Sequence, residues 1–421
     1  MRKRKKKSCG SLCIFTRIFT PREKILPQIF SASFLIHAPL PKYLKNMTSS
    51  AFSASGLATS SVSSLSSVLV IGAGMSGLVA ARTLHNAGVK VTVIDKGRGV
   101  GGRLATRRLA LSGKEGEQIE GKADHGAQYL TAHEPDFIAL VEELSANGIL
   151  KEWQTTSGDR PATPRYYAPD GMTAVAKYLA RGIETRLAER VLRLECSEDS
   201  ATNTAQTEAK HGWTAHTDKD AALDADAIII TSPVPQTMML LETLDAAQLS
   251  AFLPDAARTL LENIEYSAAL VLMLALRESP RFLGQPLAPN GGIRLDSKHV
   301  WWLADNQRKG ISPNVPTLTL HVTSEASRDH WETREEELIP LLLRDVGDYI
   351  GMQEIAAHSL HRWRYSRVQK PFPEPYYRLE SDVPCFLAGD AFSRSQWLPT
   401  RAEDAALSGL AAARALLQER G

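Results

Sequence analysis

The apolar positions of this chain fall into two rhythms. Short unbroken runs, Val68 to Ile71, Val91 to Ile94, Ala227 to Thr231 and Pro384 to Gly389, read as strands buried on both faces of a parallel sheet. Alternating runs, Arg190 to Leu194 and the LTLHVT stretch around His321, read as strands, the first of them expected to return to the parallel sheet. An Ala-, Leu- and Val-rich segment after the first run predicts a helix ending at Gly88, and an Ala-rich segment predicts a last helix to about Gln418. The Trp213–His216 run lies within a stretch, 203–220, that reads as a hairpin-rich insert.

The first strand runs into Gly72, Gly74 and Gly77 of a GxGxxG turn, and the next strand delivers Asp95 about twenty residues past that turn. Gly72 permits the tight turn, Gly74 leaves room for a pyrophosphate and Gly77 lets the helix lie against the strand, while Asp95 suits ribose hydroxyls. Strand, turn, helix, strand and acid together specify a dinucleotide site. The continuation Gly97, Gly99, Gly101, Gly102, Arg103 adds a second flexible segment with a cation to offset phosphate, which favours FAD over NAD.

Composition changes the picture in two places. Residues 1–67 hold eleven Lys or Arg against one acid, Glu23, so the net charge of +2 conceals about −8 on the rest, which argues against a nucleic-acid partner. That basic, Ser-rich tail is expected to be disordered, as a transit segment, a poor signal peptide, or sequence upstream of a start at Met47; the expected location is cytoplasmic, or an organelle if the tail is a transit peptide. The four cysteines form no CxxC and no metal spacing, and no apolar run reaches the ~18 residues of a membrane span. Cys385 reads as a packing residue in a buried strand.

With the GxGxxG unit, VGGRLATRR from Val100, DHGAQY at 124–129, PDGMTAVAKYLA from Pro169 and the Gly389–Asp390 pair, the chain resembles the renalase-like branch of the flavin amine oxidase superfamily across nearly all of 68–421. The resemblance implies an α/β fold in two parts, a Rossmann-type FAD domain and an α+β substrate domain with an antiparallel sheet, as in p-hydroxybenzoate hydroxylase. It implies noncovalent FAD, a dihydronicotinamide dinucleotide isomer as substrate, and O2 as acceptor, giving hydrogen peroxide. The expected division is 68–126, 169–232 and 379–421 for FAD, and 127–168 with 233–378 for substrate.

Around the cofactor the resemblance places Gly72, Gly74, Met75, Ser76, Gly77, Asp95, Lys96, Gly102, Arg103, Gln128, Val191, Gly389, Asp390, Glu403 and Ala405. Asp390 is expected to accept from a ribityl or ribose hydroxyl. Thr400 to Glu403 read as a capping box opening the last helix, whose N-terminus would face the flavin pyrimidine edge. Asp404 stands where related sequences carry glycine, and its carboxylate opposes a flavin anion unless it turns outward.

Oxidising a dihydronicotinamide leaves an aromatic cation, so positioning outweighs acid–base help. The expected catalytic residues are His321, Trp302 and Tyr365, with Tyr129 and Trp397 as further aromatic candidates; core packing competes for each. The segment His361–Lys370 reads as solvated charge or a contact for substrate phosphate. Two other readings stay open: oxidation of an amine or apolar polyene, for which Lys298 is a poorly placed candidate lysine, and a non-catalytic FAD protein.

Overall fold

The computed structural model describes residues 65–112, 118–153, 163–197, 212–282, 291–347, 350–351, 355–394 and 401–419. The expectations for residues 1–64, Trp397 and Thr400 lie outside these.

The apolar runs form a parallel sheet. β1 (Ser67–Ile71) leads into α1 (Met75–Asn86) and β2 (Lys90–Asp95), and β1 is flanked by β2 and by Ala227–Ile230. Glu184–Leu187 extends one side; Cys385–Leu387 and the antiparallel Tyr377–Arg378 extend the other. Both faces are covered, which is why the runs are apolar throughout. Val68, Val70 and Val93 meet α1, α2 (Pro135–Ala146) and the C-terminal helix Ala402–Glu419. Leu69, Ile94, Ile228 and Ile230 meet the helical segment 234–262. The C-terminal helix reaches α1 through Gly409, where a Cβ would stand 2.1 Å from the Ser76 carbonyl oxygen.

Three details differ from the sequence reading. Val191–Ser197 alternates as expected but pairs with Gly212–Thr217 in a separate three-stranded antiparallel sheet, because its half-polar pattern suits one covered face. The strand that returns to the parallel sheet is Glu184–Leu187. Phe137, Val141 and Leu144 of α2, with Val234, Met238 and Leu241, also pack in the nucleotide-side cores rather than with the substrate sheet. Ser66 and Ser67 are part of the fold, with both amides held by Asp226 Oδ2 at 2.7 and 2.8 Å.

A hairpin, β3 (Thr106–Ser112) and β4 (Gln118–Asp124), connects this layer to a five-stranded antiparallel sheet. Its members are β5 (Glu265–Leu276), Gly292–Arg294, β6 (Val300–Asp305), β7 (Thr317–Val322) and β8 (Ile355–Lys370). Leu270, Leu272, Leu274, Leu303, Leu318 and Leu320 point to one face and pack on Leu338, Leu342 and Val346. Met273 and Ala275 point to the other and meet Leu109, Leu111 and Ala123 of the hairpin. Near the start of β6 the register slips: Val300 pairs with Val322 and Trp302 with His321, leaving Trp301 as an extra residue in a bulge.

Candidate active site

The GxGxxG turn is built as its spacing requires. Gly72 has φ +114°, and a Cβ on Gly77 would lie 1.9 Å from the Gly72 carbonyl oxygen, so α1 can start this close to β1 only with glycine at 77. A Cβ on Gly74 would meet nothing within 4 Å. Above that opening, α1 begins with no side-chain cap and no acid in its first turn, and the buried Ser76 Oγ has no hydrogen-bond partner. Free amides, an open backbone face and an orphaned hydroxyl fit a pyrophosphate at a helix N-terminus. Met75 is buried beneath the same turn.

Asp95 braces the floor of this site: Oδ2 accepts from Ala73 N at 2.7 Å and Oδ1 from Gly97 N at 2.6 Å. The Gly101 amide donates to the Ala73 carbonyl at 2.8 Å, seating Gly102 and the second glycine segment on the first. Lys96 reaches Gln236 Oε1 at 2.9 Å, and burial and then Arg190 lower its pKa against the raising effect of Asp95. Val191 opens its strand half-buried against the Ile71 side of the core.

Arg103 and Asp390, expected to meet phosphate and a sugar hydroxyl separately, are joined to each other. The guanidinium donates both Nη atoms to the two carboxylate oxygens at 2.6 and 2.7 Å, with a third bond to the Ser366 carbonyl at 3.2 Å. Burial alone would lower the Arg103 pKa, but the paired carboxylate more than reverses this and holds it raised. Gly389 (φ +140°) turns the chain out of the last parallel strand, and its amide donates to Ser408 Oγ at 2.8 Å.

The start of the C-terminal helix corrects the capping-box reading. Glu403 reaches away: Oε1 accepts from the amides of His133 and Glu134 at 2.7 Å each, and Oε2 meets His133 Nδ1 at 2.9 Å, so its carboxylate secures the entry to α2. Asp404, one residue later, accepts from Arg401 N at 2.7 Å and binds Ser393 Oγ. The reciprocal acid of the cap is therefore Asp404 and the capped residue Arg401. Asp404 is buried, not turned outward, and its charge is spent on its own helix end. Ala405 is buried beside it.

After β4 the chain Asp124–Tyr129 runs between the Arg103 segment and the substrate sheet. Ala127 N donates to the Arg103 carbonyl at 2.9 Å, and a Cβ on Gly126 would stand 1.9 Å from that carbonyl oxygen. Beneath it lies a lysine the sequence reading did not single out. Lys309, fully buried, pairs with the fully buried Asp124 at 3.0 Å and donates to Gln128 O and Oε1 at 3.1 and 3.3 Å. Lysine has only protons to offer, so the Gln128 amide must turn its NH2 the other way, to Asp124 O at 2.7 Å and His321 Nε2 at 3.1 Å. His321 Nε2 is thus an acceptor. Burial, with Arg367, His125 and Lys309 nearby, lowers its pKa to about 3, so the ring is neutral and its proton sits on Nδ1. Gln128, expected at the cofactor, acts here as the link that sets a histidine tautomer.

Trp302 is not the stacking residue expected of it. It is buried against Trp153, 5.9 Å away at 86°, and Tyr129. The bulge brings Trp301 to His321 instead, with ring centroids 5.9 Å apart, and Arg367 lies 4.8 Å over the Trp301 ring. Tyr129 carries Arg165 4.6 Å over its face. His125 is buried and stacks on Trp363 at 5.3 Å; burial and then His361 lower its pKa to about 3, and its Nδ1 has no partner. Tyr365 packs edge-on to Tyr266 at 5.3 Å, next to the Arg103–Asp390 pair that perturbs Tyr266. Lys298 is exposed on the turn before β6.

The segment 361–370 is β8, and its alternation resolves the two readings of its charge. Arg362 donates to the carbonyls of Trp331 and Thr333 on the helix side and Arg364 is exposed, whereas Arg367 turns to the His321 side. Sequence reasoning missed Lys309, Trp301 and His125; a tertiary ion pair and a bulge create the roles of the first two without any local signal, whereas His125 stands in the DHGAQY motif and could have been singled out there.

A Rossmann-type layer carrying a pyrophosphate cradle, joined to an antiparallel sheet with a neutral histidine and aromatic rings, defines a two-part flavin-dependent oxidoreductase. Residues 70–144 match an NAD(P)-binding Rossmann-like domain, and residues 152–417, more than half of the chain, match the family of flavin containing amine oxidoreductases. The chain belongs to that family and uses FAD. It is 35% identical to putrescine oxidase of Kocuria rosea over 104 residues, 25% of this chain and 18% of that one. It is 41% identical to an L-glutamate oxidase precursor of Streptomyces diastatochromogenes over 78 residues, 18% and 12% of the two chains. The alignments thus span less than a fifth of these curated relatives. The structure of putrescine oxidase bound to putrescine superimposes with a TM-score of 0.57 over 84% of this chain and 99% of that one at 15% identity, a likeness of fold.

Proposed function

We propose that the protein is an FAD-dependent oxidase of 2- or 6-dihydro isomers of NAD(P)H. The observation that carries this reading is the electrostatic character of the His321 face. Its histidine is neutral, its lysine is consumed by Asp124, and among the described residues the unpaired charge nearest His321 is the cation Arg367. A cationic face disfavours an ammonium substrate and favours an uncharged dihydronicotinamide ring on an anionic dinucleotide.

The α1 turn, Asp95 and the Arg103 segment would hold FAD, which would supply a two-electron acceptor for the substrate hydride and, with a proton and O2, a route for the electron pair to H2O2. The chain's own work is placement. His321 Nδ1–H donates to an acceptor on the substrate, and Trp301 offers a ring face for stacking. No base is required, because the carbon that loses hydride leaves an aromatic cation and no proton.

The second reading, amine oxidation, is favoured by the relatives and by the Tyr266–Tyr365 pair. Anaerobic mixing of the FAD-loaded protein with borohydride-reduced NAD, with 4-dihydro NADH and putrescine as controls, separates the two by flavin absorbance. Bleaching by the isomer mixture alone is expected. Bleaching by putrescine with none from the isomers overturns the proposal.

A further inference from the structure

We propose that Arg367, stacked on Trp301, with Arg165 on the neighbouring Tyr129 ring, forms an oxyanion subsite that takes a phosphate or carboxylate carried by the substrate. Other well-packed arginines of the fold have their donors met: Arg103 is bidentate to Asp390, Arg186 to Glu189, and Arg362 bonds two carbonyls. Arg367 is half-buried and stacked on Trp301, and among the described residues its guanidinium has neither a carboxylate nor a hydrogen-bond acceptor. A partly desolvated guanidinium with no protein acceptor among the described residues gains more from an oxyanion than a fully exposed one, because the oxyanion meets two of its donors at once.

Among the described residues, the surroundings supply no internal counter-charge. Lys309 is neutralised by Asp124; His321 and His125 are uncharged; Tyr129, the group acting most on Arg367 after burial, is a neutral phenol. Arg165 adds a second cation 4.6 Å over the ring of Tyr129, the same residue that acts on Arg367, and its strand is held there by the backbone hydrogen bonds that Leu130 and Tyr166 exchange at 2.7 and 2.9 Å. Two guanidiniums on neighbouring aromatic rings, one over Trp301 and one over Tyr129, beside a neutral histidine select a substrate with a neutral reacting end and an anionic tail.

This deepens the dihydronicotinamide reading and rests on it for the reacting ring, but the subsite is testable without turnover. The FAD-loaded full chain is titrated with inorganic pyrophosphate and, separately, benzoate, at ionic strength matched with chloride, reading heat and perturbation of the flavin spectrum. Saturable binding of one anion is expected, weakened at least about tenfold in Arg367→Gln and less in Arg367→Lys. Arg165→Gln gives an intermediate loss, and the exposed Arg334→Gln gives none. Pyrophosphate preference assigns the tail as phosphate, benzoate preference as carboxylate. If neither anion binds above chloride, or if Arg367→Gln binds as the parent does, the subsite is overturned. Should Arg367→Gln lose its flavin, Arg367→Lys and Arg165→Gln decide: full affinity in both overturns it. Oxyanion binding through Arg367 without bleaching by any dihydronicotinamide keeps the subsite and removes the reaction, and the reverse result does the opposite.

Discussion

Lys309 organises chemistry it never touches. Its ammonium fixes the Gln128 amide, and the amide fixes which nitrogen of His321 carries hydrogen. Lys309→Met leaves Asp124 charged and buried without its cation, a loss of about 3–5 kcal/mol that urea unfolding should register. Gln128→Glu is gentler: the His321 nitrogen signals of labelled protein should shift, because a carboxylate demands a proton on Nε2 where the amide donated one. Retention of the Nδ1–H tautomer in that variant would separate Gln128 from the histidine. Trp301 and Trp302 should part in kind: Trp302→Ala costs about 3–5 kcal/mol of stability through the cavity it leaves. Trp301→Ala should instead raise KM with little change in melting temperature.

At the level of elements, the nucleotide half was legible because its chemistry is local. Gly72, Gly74, Gly77 and Asp95 lie within one strand–helix–strand unit, and each spacing has a steric reason visible in the chain itself. The substrate half was less so. His321 was found from an alternating strand, but Trp302 was named as an aromatic candidate and Trp301 was not, because nothing local in the chain marks the bulge that brings Trp301 to His321. Arg190–Leu194 was given to the wrong sheet because period alone does not name a partner strand. Glu403 looked like a local cap and is a bridge between helices. Glu403→Ala should leave two backbone amides at the start of α2 without their shared acceptor, costing about 1–3 kcal/mol, with faster hydrogen exchange concentrated at 133–138. Unchanged exchange there would place the helix entry under other control.

Across the whole molecule, two buried neutral histidines make stability depend on pH. His125 and His321 are near 3 in the fold and 6.5 when exposed, so between those values the unfolded chain binds more protons. The stability they represent is complete above pH 6.5 and falls as pH drops toward 3, by up to about 1.4 kcal/mol per unit for each. Unfolding midpoints measured from pH 7 to 4 should decline, and less steeply in His321→Asn; equal slopes in the two proteins would refute the assignment. The pairing of Arg103 with Asp390 carries a temporal consequence. These partners stand 287 positions apart, and the strand and helix that flank Asp390 close over α1. While a ribosome is still extending the chain, the glycine turn is finished but the residue that holds Arg103 has not been made. Cofactor capture therefore awaits synthesis of Asp390 and the helix after it, and a nascent chain halted near residue 380 should emerge colourless however long it is given to mature.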